Sequence, residues 1–273
     1  HTLKTPDGSL DVEQSRAVLE AYSGNARRWV DTVGAQLPHF DFAVTDFVAE
    51  AFELSRRRGV PCFGVAHFTW DWFYSRLAEA DHPGIRLMEE FTSHATRLFF
   101  PPFTPPNVLE KYAGRTEEVS FILNEFDPIA VTGKGGPSML KCLIMDNGTF
   151  TLSGLFEKSL RDLSCMAGVQ FFISIDKFSP ESVEFIRTAN NINPVVGLKE
   201  IHSHIPHMDF ILARGGFNTL TECLITKTPS ILVEEGRNPE VSENIRMVTK
   251  AGFAASLHSD DFNGTVVKRI QRF

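Results

Sequence analysis

The residues best suited to chemistry form one run, Arg214 to Glu222 (RGGFNTLTE). The apolar segment DFILA before this run predicts a buried strand, and the spacing after the two glycines predicts a helix from Thr219 to Thr226. Backbone N–H groups at the start of a helix bind anions, and Gly215 and Gly216 have no Cβ atoms to keep a phosphate from the backbone. The run therefore predicts a pyrophosphate site at the carboxyl end of this strand.

Glu222 has two interpretations. It lies one turn into the predicted helix, where an acidic side chain beside a nucleotide cleft binds ribose hydroxyls. Thr219 and Glu222 also have the T-x-x-E spacing of a capping box, in which the two side chains bond the first N–H groups of a helix. Taken alone, the spacing favours the cap.

A second polar group follows the strand SILVEE. Asn238 and Glu240 lie in the loop after this strand, and Asn244 lies on the helix predicted from Val241 to Ala251. Such side chains either bind sugar hydroxyls or only belong to a polar loop. Without further context, the loop interpretation is favoured.

Strands and helices alternate along the whole chain. The first half reads as a helical stretch from Leu10 to Leu37, the strand DFAVTD, a helix from Phe47 to Arg58 that ends at Gly59, and the strand PCFGVAHF. The second half contains six strand-like segments, and helices are predicted between most of them, including a helix from Pro180 to Thr188. Arg56, Arg57 and Arg58 are interpreted as a solvated helix end.

This alternation predicts an α/β protein with two Rossmann-like doubly wound domains that face a cleft. The composition changes after Asp127 to the segment PIAVTGKGGPS, which is rich in Gly and Pro and has no hydrophobic period. We therefore expect a first domain over residues 1–127, a linker over 128–138 and a second domain over 139–273.

Composition excludes several classes of protein. The chain of 273 residues is 42% hydrophobic and 22% charged, which is typical of a globular protein and not of a disordered one. Its net charge of -7 comes without a dense basic stripe, so nucleic acid is not an expected partner. The longest apolar runs are strand-sized, which predicts no transmembrane segment. The aromatic segment from Phe91 to Phe103 is interpreted as a buried helix end and leaves peripheral contact with a membrane open.

The cysteines and histidines predict no metal or disulfide. The 4 cysteines are far apart, have no CxxC spacing and read as reduced core residues, which favours a cytoplasmic location. His202, His204 and His207 are predicted to lie in a loop without accompanying Cys or paired carboxylates, so we expect no metal site there. No cofactor is expected either.

The motifs resemble a known family. The strings ARGGFNTLTE, TPSILVEE, ENI and KAGF resemble the donor-binding region of GT-B glycosyltransferases, and most of all the family of the lipid-linked N-acetylglucosaminyltransferase of peptidoglycan synthesis. The matching positions are Asp209, Arg214, Gly216, Thr219, Glu222, Pro229, Asn244 and Gly252. The segment DFAVTDFVAEAFELSRRRGVPCFGVAHFTWDWFY is similar to the amino-terminal domain of glycosyltransferase-like proteins, including the transferase-like half of some sugar kinases. The family's opening strand and glycine-rich turn are not found, so the first domain is expected to be incomplete.

The resemblance implies a nucleotide-sugar donor, a uridine or related nucleotide, held by the second domain. By this carry-over, Glu222 binds ribose and Leu198 contacts the base. The diphosphate is implied to lie against Gly215, Gly216, Phe217, Asn218 and Thr219, with Arg214 before them. A family glycine-rich loop is matched by the turn DNGTF, whose Asn147, Gly148 and Thr149 are implied to contact phosphate; a plain strand-to-helix turn is the alternative.

For sugar transfer with inversion, a base must take the proton of the acceptor hydroxyl. The candidates are His67 and Asp46, each after a strand of the first domain; Asp46 alternatively orients a histidine or caps the next helix. The aromatic run HFTWDWFY reads as core or as an acceptor pocket, and Asp71 within it favours the surface.

These observations predict a metal-independent glycosyltransferase of the hexosyl- or N-acetylhexosaminyl-transferring type, with a UDP-sugar donor and an unidentified acceptor. Two alternatives stay open at this point. One is a nucleotide-sugar epimerase or hydrolase on the same fold, and the other is a nucleotide-sugar-binding domain without transfer chemistry.

Overall fold

The computed structural model describes residues 4–5, 10–122, 138–146, 152–176, 178–234 and 236–259, without the side chains of 198–200. The chain divides into two compact units, and the described parts of these units are essentially 10–122 and 138–259. Nearly all of the linker predicted at 128–138 lies outside the described residues, so its bounds stay a prediction.

The first unit is an α/β layer structure with a parallel sheet. Its strands are β1 (Ala43–Thr45), β2 (Cys62–Val65), β3 (Arg97–Phe100) and β4 (Thr116–Glu118), which lie side by side in chain order. Its helices are α1 (Val12–Gln36), α2 (Ala49–Arg58), α3 (Trp70–Tyr74), α4 (Pro83–Thr92) and α5 (Pro106–Lys111). Gly59 ends α2 with φ of 67°, as expected for a glycine at the end of a helix.

The second unit is built on a six-stranded parallel sheet. Its strands are β5 (Leu140–Met145), β6 (Val169–Ser174), β7 (Ile192–Val195), β8 (Phe210–Arg214), β9 (Ser230–Glu234) and β10 (Ala254–His258). Its helices are α6 (Ser153–Ser164), α7 (Pro180–Thr188), α8 (Leu198–His204), α9 (Phe217–Thr226) and α10 (Pro239–Lys250), and α8 continues into a 3-10 turn at Ile205–His207. The strand order is β7-β6-β5-β8-β9-β10, the order of a Rossmann sheet.

The aromatic segment from Phe91 to Phe103 only partly matches its interpretation as a helix end. Phe91 does lie near the end of α4, but Arg97–Phe100 form β3. Phe91 and Phe100 are both fully buried in the core of the first unit. The helical or extended state of a short apolar run is not resolved by periodicity alone, and here the pairing of β3 with β2 decides it.

The aromatic run HFTWDWFY is core, and the expectation that Asp71 turns it towards the surface is wrong. Asp71 is 1% exposed, and its Oδ2 accepts a hydrogen bond from Lys111 Nζ at 2.7 Å. Lys111 lies 40 residues further along the chain. A buried carboxylate is tolerated when a cation compensates its charge, and nothing near Asp71 in the sequence indicates this partner.

The three arginines that end α2 are more than a solvated helix end. Arg56 and Arg57 each donate a hydrogen bond of 2.7 Å to the carboxylate of Glu53, which is 2% exposed. Arg58 donates to the backbone oxygens of Leu37 at 2.8 Å and Pro38 at 2.6 Å, just after α1 ends. The arginines therefore satisfy a buried carboxylate and carbonyl groups at the end of a neighbouring helix.

Glu53 makes the stability of the first unit depend on pH. Hydrogen bonds from Arg56, and then from Arg57, lower the pKa of Glu53 to about 2 although burial raises it. A carboxyl with a lowered folded-state pKa stabilises the fold above its unfolded pKa, and this contribution is lost as the pH falls from about 5 towards 2. We expect Glu53→Gln to lower the free energy of unfolding by about 2 kcal/mol at pH 7 and by progressively less below pH 5.

Tryptophan fluorescence can follow this unfolding selectively, because the 3 tryptophans of the chain, Trp29, Trp70 and Trp72, all lie in the first unit. The control is Glu90→Gln, since Glu90 is 47% exposed in its pair with Arg27 and such pairs contribute less than about 1 kcal/mol. A difference between wild type and Glu53→Gln that is equal at pH 7 and pH 3 would contradict the prediction.

Candidate functional site

The candidate site lies at the point in the second sheet where the order of adding strands reverses. From β5 the chain first adds β6 and β7 on one side, and then returns to add β8, β9 and β10 on the other. The helices after β5 and β8 therefore leave the sheet on opposite sides, and a crevice opens between the carboxyl ends of these two strands. Asp146 follows β5 and Arg214 ends β8 at this point.

Asp146 closes the turn after β5. It is 6% exposed, and its Oδ2 accepts hydrogen bonds from the N–H groups of Leu152 and Ser153, the latter at 2.9 Å. The carboxylate therefore holds the start of α6 against the end of β5. The three residues between them to which phosphate contacts were assigned, Asn147, Gly148 and Thr149, lie outside the described residues.

The two glycines after Arg214 are there for different reasons. A Cβ atom at Gly215 would lie 2.4 Å from Ile245 Cγ1, so the packing of α10 requires glycine and fills the space above it. A Cβ at Gly216 would meet nothing within 4 Å, and its φ of -68° is open to any residue. The expectation that both glycines clear the way for a phosphate is therefore wrong for Gly215, while the space at Gly216 is open.

Helix α9 begins at Phe217 and not at Thr219, so the predicted capping box is wrong. Its N-cap is Gly216, which has no side chain to accept the first N–H groups. Phe217, Asn218 and Thr219 form the first turn, whose backbone N–H groups point out of the start of the helix. Thr219 itself is fully buried, and its Oγ1 has no hydrogen-bond partner among the described residues. The start of α9 thus lacks a side-chain cap and borders the open space at Gly216.

Glu222 forms a pair with His202 instead of a cap. Oε2 of Glu222 lies 2.7 Å from Nδ1 of His202, and 10% of the Glu222 side chain is exposed. The histidines were predicted in a loop, but His202 and His204 lie on α8 and His207 ends the 3-10 turn. The His202–Glu222 contact was not predicted, because 20 residues and a strand separate the two positions.

The polar residues near α10 mainly hold the backbone. Asn238 is the N-cap of α10, where its Oδ1 accepts from the N–H groups of Glu240 at 3.0 Å and Val241 at 3.4 Å. Asn244 is 3% exposed and donates from Nδ2 to the carbonyl oxygen of Gly215 at 3.2 Å. Asn244 therefore fixes the turn that leads to Gly216, while Glu240 lies partly exposed in the first turn of α10.

The turn between β7 and α8 depends on a glycine. Gly197 has φ of 88°, and its N–H donates to the carboxylate of Asp176 at 3.3 Å. Only glycine adopts this conformation readily. Leu198 then begins α8, so its backbone is at the carboxyl edge of the sheet as expected, but its side chain is outside the described part of the structure.

The two candidate bases follow strands of the first unit. His67 comes two residues after β2, is partly buried, and its ring contacts Phe68 edge-on at 4.8 Å between centroids. Asp46 follows β1 and is exposed; it caps nothing, because Thr45 Oγ1 accepts the N–H of Val48 at 2.9 Å in that turn. Among the described residues, Asp46 has no hydrogen bond that orients a histidine, so both alternative roles are wrong.

The described ranges contain no group of three or more His, Cys, Asp or Glu that could hold a metal ion. All four cysteines are free; burial raises the pKa of Cys142 and Cys223, the latter to about 12. Cys165 is exposed at the end of α6, so the expectation of a core residue is wrong there. No helix of the described chain is long and apolar enough to cross a membrane.

A Rossmann-type parallel sheet with an uncapped helix start at its switch point, preceded by a second parallel α/β unit, defines the GT-B class of fold. Solved structures that resemble the chain include glycosyltransferases of this fold, so the fold predicted from the sequence motifs is confirmed.

Three of these structures illustrate the likeness. The calicheamicin glycosyltransferase CalG4 superimposes with a TM-score of 0.68 at 15% identity over 100% of this chain and 73% of its own. UGT89C1 of Arabidopsis thaliana, solved with UDP-L-rhamnose, gives 0.61 at 13% identity over 93% and 70%. MurG of Acinetobacter baumannii gives 0.58 at 14% identity over 94% and 70%. The chain matches no family model and no curated protein. At identities this low, the structural likeness establishes the fold alone, and the activity has to be argued from the site.

Proposed function

We propose that this chain is a glycosyltransferase that moves a sugar from a nucleotide diphosphate donor, a UDP-sugar, to an acceptor that is still unidentified. The observation that carries the proposal is the start of α9: an open position at Gly216, no side-chain cap, and a location at the switch point of a Rossmann sheet. Backbone N–H groups at a helix start without a side-chain cap, together with the positive end of the helix dipole, are suited to a diphosphate.

The donor would extend from this helix start in both directions. The diphosphate lies against the turn from Arg214 to Thr219. Glu222, less than two turns into α9, accepts hydrogen bonds from the ribose hydroxyls. The uracil ring of the donor reaches the turn at Leu198. Gly215 and Asn244 contribute through the packing and the hydrogen bond that shape the turn. Uridine is supported by the donor in the UGT89C1 structure, UDP-L-rhamnose.

The sugar would lie near the start of α10, where Asn238 caps the helix and Glu240 lies partly exposed in the first turn. Phosphate contacts from Asn147, Gly148 and Thr149 remain part of the proposal. The sugar would be of the hexosyl or N-acetylhexosaminyl type. Localisation in the cytoplasm remains an expectation from the separate, free cysteines.

The transfer itself needs a base and a stabilised leaving group. His67, or Asp46, takes the proton of the acceptor hydroxyl while its oxygen attacks the anomeric carbon, and the bond from this carbon to the diphosphate breaks. The N–H groups that begin α9 stabilise the charge that develops on the diphosphate, which removes the need for a metal ion.

Thermal-shift and product measurements test the proposal. A panel of uridine, thymidine, guanosine and adenosine diphosphates and of UDP-sugars is titrated, since a ligand of the native state raises the melting temperature by mass action. We expect UDP and at least one UDP-sugar to stabilise the protein, and the UDP-sugar to be turned over only when an acceptor is added. Product from the donor alone would identify an epimerase or hydrolase. A shift without turnover over a broad acceptor panel would identify a binding domain, and no shift with any nucleotide would overturn the proposal.

A further inference from the structure

The contact between His202 and Glu222 fixes one oxygen of this carboxylate and leaves the other available. Nδ1 of His202 lies 2.7 Å from Oε2 of Glu222. Oε1 has no hydrogen bond to any described residue, and it is not among the buried polar atoms without a partner, so it reaches solvent. Because a carboxylate only accepts hydrogen bonds, Nδ1 of His202 carries the proton in this pair.

The helix that carries His202 packs against the helix that carries Glu222. Ile201 and Ile205 of the α8 segment share a buried core with Cys223 of α9. Just after α9, Thr228 Oγ1 donates to the carbonyl oxygen of Ile205 at 3.1 Å. The helix backbone is therefore held by packing on both sides of His202, so the imidazole can restrict the Glu222 side chain to one orientation.

We infer that His202 is a positioning residue of the donor site: it holds Glu222 so that Oε1 meets the ribose hydroxyls of the nucleotide. This inference rests on the proposed function, in which Glu222 binds ribose. Without the imidazole, the flexible carboxylate would lose conformational freedom on binding, and its free oxygens would be hydrated until the ribose displaced that water. His202 would then determine how strongly the protein prefers a ribonucleotide, and leave diphosphate binding at α9 unaffected.

Two amide variants separate this role from a merely structural one. In His202→Asn, the amide nitrogen lies close to the place of Nδ1 and can still donate to Glu222. In His202→Gln, the amide lies close to the place of Nε2, which faces away from Glu222, so a donor of the same chemistry is lost from the pair. His202→Ala removes the side chain, and His207→Ala is the matched control, because His207 is exposed on the same segment and has no contact with Glu222.

The measurement is the affinity for UDP and for 2′,3′-dideoxy-UDP, by calorimetry, together with the melting temperature of each variant. Wild type and His207→Ala should prefer UDP by about tenfold or more, as expected for a hydrogen bond to a charged group. His202→Ala and His202→Gln should lose most of this preference through weaker UDP binding, with dideoxy-UDP affinity unchanged, and His202→Asn should keep it.

Each outcome decides a separate claim. An unchanged preference in His202→Ala or His202→Gln overturns this inference and leaves the proposed function intact, as does equal loss in His202→Asn and His202→Gln. Equal binding of UDP and dideoxy-UDP by the wild type overturns the ribose role of Glu222 and this inference with it. A wild type that binds neither nucleotide overturns the proposed function as well.

Discussion

Gly216→Val is expected to lower the affinity for a nucleotide diphosphate by about a hundredfold or more and to leave the melting temperature nearly unchanged. The isopropyl group would occupy the open space beside the start of α9 and keep the phosphate oxygens from at least two N–H groups, each a charge-assisted hydrogen bond. The fold should tolerate the change, because a Cβ at Gly216 meets nothing within 4 Å and its φ of -68° and ψ of 141° suit a β-branched residue. Calorimetric titration with UDP and a thermal melt measure the two effects.

The neighbouring glycine provides the control. In Gly215→Ala the new methyl group would lie 2.4 Å from Ile245 Cγ1, so α10 must shift, at a cost of about 1 to 3 kcal/mol. We therefore expect different effects on the melting temperature at adjacent positions: lost binding with an unchanged melting temperature at 216, and a lower melting temperature at 215. Wild-type affinity for UDP in Gly216→Val would contradict a diphosphate site at this turn.

His67→Ala is expected to lower turnover by about two to four powers of ten, with little change in donor affinity. The reason is that the base acts on the acceptor hydroxyl, whereas the proposed donor contacts all belong to the second unit. Steady-state rates with a saturating donor, together with the donor affinity from calorimetric titration, measure the two effects.

Two further variants complete this test. His39→Ala removes an exposed histidine of the same unit and should leave the rate unchanged. Asp46→Asn separates the two candidates, because Asp46 alone as the base would transfer the large loss of rate to this variant. If His67→Ala keeps its rate but melts at a lower temperature, His67 is a structural residue packed on Phe68.

Much of the second unit could be predicted from local patterns. Helix α7 begins at Pro180 and ends at Thr188, as predicted, because Ser179 caps it and proline suits its first position. Five of the strand-like segments match strands within one or two residues, since strands buried on both faces read as short apolar runs. The segment PVVGL did less well: β7 ends at Val195, because Gly197 turns the chain into α8.

The first unit was harder to predict beyond β2. The short elements α3, α5 and β4 have five, six and three residues, too few for a periodic pattern to stand out. At the start of α9, the T-x-x-E spacing predicted the wrong cap, because the helix begins two residues earlier at Phe217 and places Thr219 inside it. Helix starts are set by which backbone groups find partners, and several residues near a glycine turn are equally suited to be the first.

The sequence by itself determined the α/β class, the parallel strands and the sheet edge at which Arg214, Gly216 and Glu222 emerge, because hydrophobic periodicity and glycine turns are local properties. The tertiary structure decided which of these residues are already committed to the fold. The space beside Gly215 is filled by Ile245, 30 residues further along the chain. Glu222 on α9 is held by a contact with His202 on α8. Such partners meet only when the strands take their places in the sheet, and strand order depends on the packing of the whole unit rather than on any one segment.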